Sequence, residues 1–122
     1  MAGSRGNTLT FTVTHAQRDG GGVRLRLAGE LDLNTAPQLA ATIDHLLSDG
    51  QVQLLVDLAD LTFCDSTGIA AFVRGDNACA AVGGWLRLTG ATGRVARVLR
   101  MTGLADVFRY DPTADPASHA YR

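Results

Sequence analysis

With 122 residues the chain has room for one domain around one core, and its 46% hydrophobic and 19% charged content is that of a globular protein, not a disordered one. Its 11 basic and 12 acidic residues leave a net charge of −1, so no excess of one sign draws it to nucleic acid or an anionic membrane, and no apolar run is long enough to span one. Every basic residue is Arg and Glu30 is the only Glu; without Lys, a Walker-type phosphate loop and Schiff-base chemistry are both excluded.

Leu9 to Thr14 alternates apolar and polar residues and is rich in β-branched types, which predicts a half-buried strand. After the turn Gly20-Gly21-Gly22, Val23 to Leu27 alternates again, so the two runs predict a hairpin. Asn34 or Thr35 is placed to cap a helix with Pro37 in its first turn; Leu39, Ile43, Leu46 and Leu47 repeat at helical spacing, and Gly50 ends it. Val52 to Leu58 holds the run Leu54-Leu55-Val56, typical of a strand covered on both faces. Residues 59–66 read as a turn, followed by a second helix from Thr67 to Val82 with Ile69, Phe72, Val73 and Ala80 on its apolar stripe and Gly83-Gly84 as the stop. Trp85 to Thr89 is a strand. Thr92 or Gly93 opens a third helix, with Val95, Val98 and Leu99 inside and Gly103 closing it, and Val107 to Tyr110 predicts a last short strand.

The order is therefore β-β-α-β-α-β-α-β, with a possible short C-terminal helix: an α/β fold in which helices connect parallel neighbours of a mixed β-sheet and pack against it. The domain is expected over residues 8–112, with 1–7 and 113–122 as flexible or weakly ordered termini. Cys64 and Cys79 form no CxxC pair and read as buried free thiols. With no apolar signal core near Met1, they point to a cytoplasmic protein. In such folds, sites gather where strands end and helices begin, which directs attention to Glu30–Thr35 and Leu58–Gly68.

Asp65-Ser66-Thr67-Gly68 sits at the second of these. As plain structure it is a helix start, with Ser66 or Asp65 as cap and Gly68 allowing close packing. As a functional site, an exposed hydroxyl at a helix N-terminus is well placed to carry a phosphate, because the dipole and open N–H groups favour the added anion. Catalytic readings fit worse. An aspartic-protease site lacks the inserted Thr67 and comes in two copies, a serine-hydrolase elbow has Gly where Cys64 stands, and none of His15, His45 and His119 is an evident base for Ser66. A phosphoacceptor receiver domain needs a Lys after its last strand. Asp57, Asp60 and Asp65 are scattered by strand and loop geometry and read as solvated acids or turn formers, not as a magnesium site. Arg94, Arg97 and Arg100 make a stripe on the third helix: a solvated face or a docking surface for an acidic partner.

Gly29-Glu30-Leu31-Asp32 with Thr35-Ala36-Pro37, and then Val56 to Gly68 ending in Asp65-Ser66-Thr67-Gly68, resemble the STAS-domain family, most closely its stand-alone bacterial anti-sigma-factor antagonists. Thr102-Gly103-Leu104 is also similar, and the likeness runs from about Leu9 to Tyr110; Cys64 departs from the larger apolar residue usual there. The resemblance implies a non-enzymatic protein without catalytic residues, cofactor or metal. It implies a partner switch: the unmodified chain binds an anti-sigma factor that is also a serine kinase, phosphorylation of Ser66 ends binding, and a serine phosphatase reverses it. Partner-binding residues would be Glu30, Asp32, Asn34, Thr35, Asp65, Ser66, Thr67 and Gly68, with Asp32 beside Ser66. The free protein is expected to be a monomer. The alternative is a STAS scaffold or transporter-regulatory module acting by protein–protein binding.

Overall fold

A computed structural model describes residues 10–103. Seven elements follow in order: β1 Phe11–Gln17, β2 Val23–Leu31, α1 Ala36–Ser48, β3 Gln53–Cys64, α2 Ser66–Ala81, β4 Trp85–Thr89 and α3 Gly93–Thr102. The expected strand Val107–Tyr110, the possible C-terminal helix and both termini lie outside the described residues.

The strands form one sheet in the order β1-β2-β3-β4, with β1 antiparallel to β2 and the remaining pairs parallel. The chemistry of the connections dictates this. A short turn can join antiparallel strands, and a parallel pair needs a crossover, which α1 and α2 supply. The hairpin turn is closed by Gly21 N–H to Arg18 O at 3.1 Å and Arg18 N–H to Gly22 O at 3.0 Å. Gly22 has φ +83°, and a Cβ there would sit 2.6 Å from Gln53 O, so both conformation and space demand glycine.

One face of the sheet carries the core. Val23, Leu25, Leu54, Val56, Leu86 and Leu88 lie in register across β2, β3 and β4 and are all buried. Leu39, Ile43 and Leu46 of α1 and Ala71, Phe72 and Cys79 of α2 join them in one core cluster, as do Val95 and Leu99 of α3. Each fully buried side chain of this size contributes about 1.5–3 kcal/mol relative to exposure. The two helices approach closely at Gly75, where an added Cβ would lie 2.9 Å from Leu86 Cδ1 and 3.0 Å from Ile43 Cδ1.

Four boundaries differ from the sequence reading. β1 lies further along the chain, at Phe11–Gln17, and β2 continues past Leu27 to Leu31. β3 does not stop at Leu58 but runs to Cys64, so the segment read as a turn is mostly strand. Its pairing with β2 slips twice, between the Arg26–Asp57 and Ala28–Asp60 pairs and between the Gly29–Leu61 and Glu30–Phe63 pairs. Each slip places one extra residue on β3, so Leu58, Leu61 and Cys64 are all buried at intervals of three where a regular strand would show two. Finally, α2 begins at Ser66, which places that residue inside the first turn.

Asp57 is a further correction. It is not a solvated acid: it is 5% exposed in mid-sheet. Arg24 donates to its Oδ2 from Nη2 at 2.9 Å and from Nε at 3.2 Å, and Arg26 Nε stands 3.6 Å away. Arg24 precedes it by 33 residues, and only the β2–β3 register brings the two arginines to it.

Candidate functional site

The two turns singled out in the sequence emerge side by side. Leu31, the last residue of β2, is paired with Cys64, the last of β3, in parallel register. The residues that follow, Asp32 and Asp65, therefore leave neighbouring strand ends in the same direction. A hydrogen bond from Asp65 N–H to Leu31 O at 3.3 Å ties the two exits together.

At the second exit Asp65 is the N-cap of α2. Its Oδ1 accepts from Thr67 N–H at 2.9 Å and from Gly68 N–H at 3.2 Å, satisfying two of the helix's open donors. Of the two caps the sequence allowed, Asp65 takes the role and Ser66 is released from it. Ser66 is exposed, and its hydroxyl has no hydrogen-bond partner among the described residues. Thr67 is half-buried. Gly68 is buried because α2 rests on the strand ends at that point: a Cβ would meet Cys64 Sγ at 2.8 Å and Leu31 Cγ at 2.8 Å. Beneath it, Cys64 is a buried free thiol whose pKa is pushed up to about 12, first by burial and then by the neighbouring Asp65 charge. Cys79 is likewise free and buried, pushed up to about 11 by burial and by Asp76. Neither thiol has the character of a nucleophile.

At the first exit Thr35 is the N-cap of α1, as the sequence allowed, but its side chain makes no cap hydrogen bond; Asp32, three residues earlier, holds the turn that leads into the helix. Asp32 Oδ1 accepts from Asn34 N–H at 2.9 Å and Thr35 N–H at 3.1 Å, and Thr35 Oγ1 accepts in return from Asp32 N–H at 2.9 Å. This reciprocal pair has the bond pattern of a capping box, set in the turn just ahead of the helix. The Thr35 hydroxyl donates to Glu30 O at 2.8 Å, fastening the turn to the end of β2. An Asp followed three residues later by Thr is the sequence signal for this exchange of bonds, which the cap expected at Asn34 or Thr35 did not include.

Glu30, Asn34 and Ser66 are exposed, and Asp32, Thr35, Asp65 and Thr67 are half-buried. Two residues escaped the sequence reading. Leu33, inside the locked turn, is 71% exposed. Thr62, on the added part of β3, is exposed and donates from Oγ1 to Gly29 O at 3.0 Å across the second slip. The site thus gathers Glu30, Asp32 and Asp65 with no Arg ion pair to any of them among the described residues. His15 and His45 are exposed on β1 and α1, the latter 3.5 Å from Asp49, and neither bonds to Ser66. Among the described residues no group of His, Cys, Asp or Glu is placed to hold a metal ion. No helix among them is long and apolar enough to cross a membrane.

A family model described as "Mlab, STAS domain" matches residues 14–109. Among curated proteins, the chain is similar to an anti-sigma-B factor antagonist of Staphylococcus aureus (strain NCTC 8325 / PS 47), 31% identical over 83 residues, covering 68% of this chain and 77% of that protein. An anti-sigma-B factor antagonist of Listeria monocytogenes is 27% identical over 99 residues, covering 81% and 87%. Among solved structures, the crystal structure of an anti-sigma factor antagonist from Mycobacterium paratuberculosis matches with a TM-score of 0.77 and 28% identity, over 92% of this chain and 94% of that one.

Proposed function

The chain belongs to the STAS-domain family, and from that premise we propose that it is an anti-sigma-factor antagonist switched by phosphorylation of Ser66. The unmodified form binds an anti-sigma factor that is also a serine kinase and so frees a sigma factor. The kinase transfers a phosphoryl group to the Ser66 hydroxyl, binding is lost, and a serine phosphatase restores the first state. Glu30, Asp32, Asn34, Thr35, Asp65, Ser66, Thr67 and Gly68 make the surface that the partner meets. The protein is a ligand and a substrate in this scheme, not a catalyst.

The observation that carries the reading is the unpartnered, exposed hydroxyl of Ser66 at the start of α2, beside a cap that has already taken the nearest N–H groups. A phosphate on Ser66 adds roughly −1.5 to −2 charge at neutral pH. Because Asp65 occupies the amides of Thr67 and Gly68, the helix start has little spare capacity to neutralise the newcomer. It joins the carboxylates of Asp65 and the neighbouring Asp32 turn. A partner surface shaped for a neutral hydroxyl then faces like-charge repulsion and desolvation of a few kcal/mol, which is about two decades in affinity. No refolding is required.

Incubation with candidate anti-sigma kinases and ATP tests this directly. Intact mass should show one added phosphoryl group, and peptide mapping should place it on Ser66. A modification on Thr67, or full phosphorylation of Ser66→Ala, overturns the assignment. The alternative is a STAS scaffold or transporter-regulatory module acting by protein–protein binding. That reading predicts binding that ATP never releases.

A further inference from the structure

The switch site draws on the carboxylate end of the molecule and leaves α3 unused. On that helix Val95 and Leu99 are buried in the core, while Arg94, Arg97 and Arg100 are exposed on the other side. Spaced by three, the arginines follow one face for about 9 Å of helix. Together with Gly93 and Ala96 they line a depression of about 490 Å³.

Three features set this face apart from an ordinary solvated one. Like charges at this spacing repel and weaken a helix, yet its first turn carries no acid to relieve them. None of the three arginines has an ion pair or a side-chain hydrogen bond among the described residues, whereas Arg24 and Arg26 both face Asp57. Beside them Met101, four residues after Arg97, is 78% exposed, an adaptable apolar side chain of the kind enriched with Arg at protein interfaces.

We infer that Arg94, Arg97 and Arg100, with Met101 at their edge, form a docking face for an acidic segment of a partner protein, separate from the Ser66 surface. Guanidinium forks meet carboxylates in a bidentate fashion, which suits a segment of closely spaced Asp and Glu. The face is too narrow for a nucleic-acid duplex, which requires a broader positive field, and a chain of net charge −1 supplies none around it. Such a contact steers encounter by long-range attraction and operates whether or not Ser66 carries a phosphate.

The test uses the full ¹⁵N-labelled chain and an acetylated octapeptide of alternating Asp and Glu as the probe, so it stands or falls independently of any anti-sigma factor. Amide shifts should be confined to residues 93–101, and affinity should drop about fivefold or more between low salt and about 0.3 M NaCl. Those shifts should vanish in R94E/R97E/R100E, persist weakened in the Lys triple variant and be unchanged in Ser66→Asp. An Arg→Gln triple variant, which keeps the helix former and removes the charge, guards against misfolding of the Glu variant and should also lose the shifts. The docking face is overturned by shifts that centre on Asp32 and Ser66, by an absence of shifts, or by Glu and Gln triple variants that respond like wild type. Tighter binding of a short thymidine oligonucleotide than of the peptide overturns it in favour of a nucleic-acid surface.

Discussion

Asp57 in mid-sheet and Asp65 at the strand end use the same local geometry to opposite ends. Each turns one carboxylate oxygen onto the backbone N–H two residues ahead, Asp57 to Ala59 and Asp65 to Thr67, both at 2.9 Å. Asp32 does the same with Asn34. The difference lies in what else is near. Burial by itself would raise the Asp57 pKa, but the Ala59 N–H, the Arg24 guanidinium and Arg26 together outweigh it and hold the carboxyl below its ordinary value. Among the described residues Asp65 and Asp32 have no cation beside them, and both remain partly open to solvent. One carboxylate is locked into the fold by its counter-charges, and the others stay partly open to solvent.

The comparison can be broken at its buried member first. Asp57→Ala leaves Arg24 and Arg26 facing each other without their anion and the Ala59 N–H unpaired. Because Arg24 keeps 26% of its side chain in solvent, the loss should lie near the lower end for a broken buried pair, about 3 kcal/mol, or roughly 10 °C in Tm. Thermal melts check it, and a change under about 1 kcal/mol would mean that the mid-sheet cluster is replaceable by water.

Ser66→Asp tests the open member. Asp is tolerated at the start of a helix, so stability should move by no more than about 1 kcal/mol. Affinity for the cognate anti-sigma kinase should fall by about tenfold to a hundredfold, the range reflecting a charge about half that of phosphoserine. Ser66→Ala should bind as wild type does and never be released by ATP. Titration calorimetry of both variants decides it: tight binding by Ser66→Asp, with ATP-driven release of Ser66→Ala, places the switch elsewhere.

Asp65→Ala should cost about 1 kcal/mol through loss of the α2 cap, while Asp65→Asn or Asp65→Ser should cost only a few tenths. Equal losses for all three in urea titrations would show that charge, and not the cap, holds the helix start. The smallest effect is acid dependence. Since the folded-state pKa of Asp57 is depressed, its ionic contribution is present above the unfolded carboxylate value near 4 and is lost as pH falls through the lower folded value. The stability gap between wild type and Asp57→Asn should therefore be constant from pH 7 to about pH 5 and shrink below about pH 4. A gap that stays the same down to about pH 2 would remove the ionic part of the argument.

The sequence made some of this legible and hid the rest for physical reasons. The Gly103 stop of α3 with φ +75° and the fit of Gly68 against its neighbours follow from local pattern, and each has its place in the structure. Of the stripe read on α2, Phe72 is buried and Ile69 and Val73 are partly buried, but Ala80 is exposed and the buried line runs through Gly68, Ala71, Phe72, Gly75 and Cys79. β3 beyond Leu58 did not read as a strand because its two slips turn a period of two into three, and because Ala59-Asp60 has the composition of a turn. The burial of Asp57 was invisible for a different reason: a carboxylate in an apolar run announces nothing about which arginines will lie across the sheet. At the candidate site, Asp65, Ser66 and Gly68 could be placed from sequence. The exchange of bonds between Asp32 and Thr35 needed the backbone geometry of the turn, and the exposure of Leu33 follows from it.

The pairing of Leu31 with Cys64 also bears on when the surface comes into being. Asp32 and Ser66 belong to segments made at different times during synthesis, with all of α1 between them. A nascent or misfolded chain can display Ser66, but it cannot set the Asp32 turn beside it until β2 and β3 have joined. Any molecule that contacts both turns at once therefore meets only chains whose central strands have already paired.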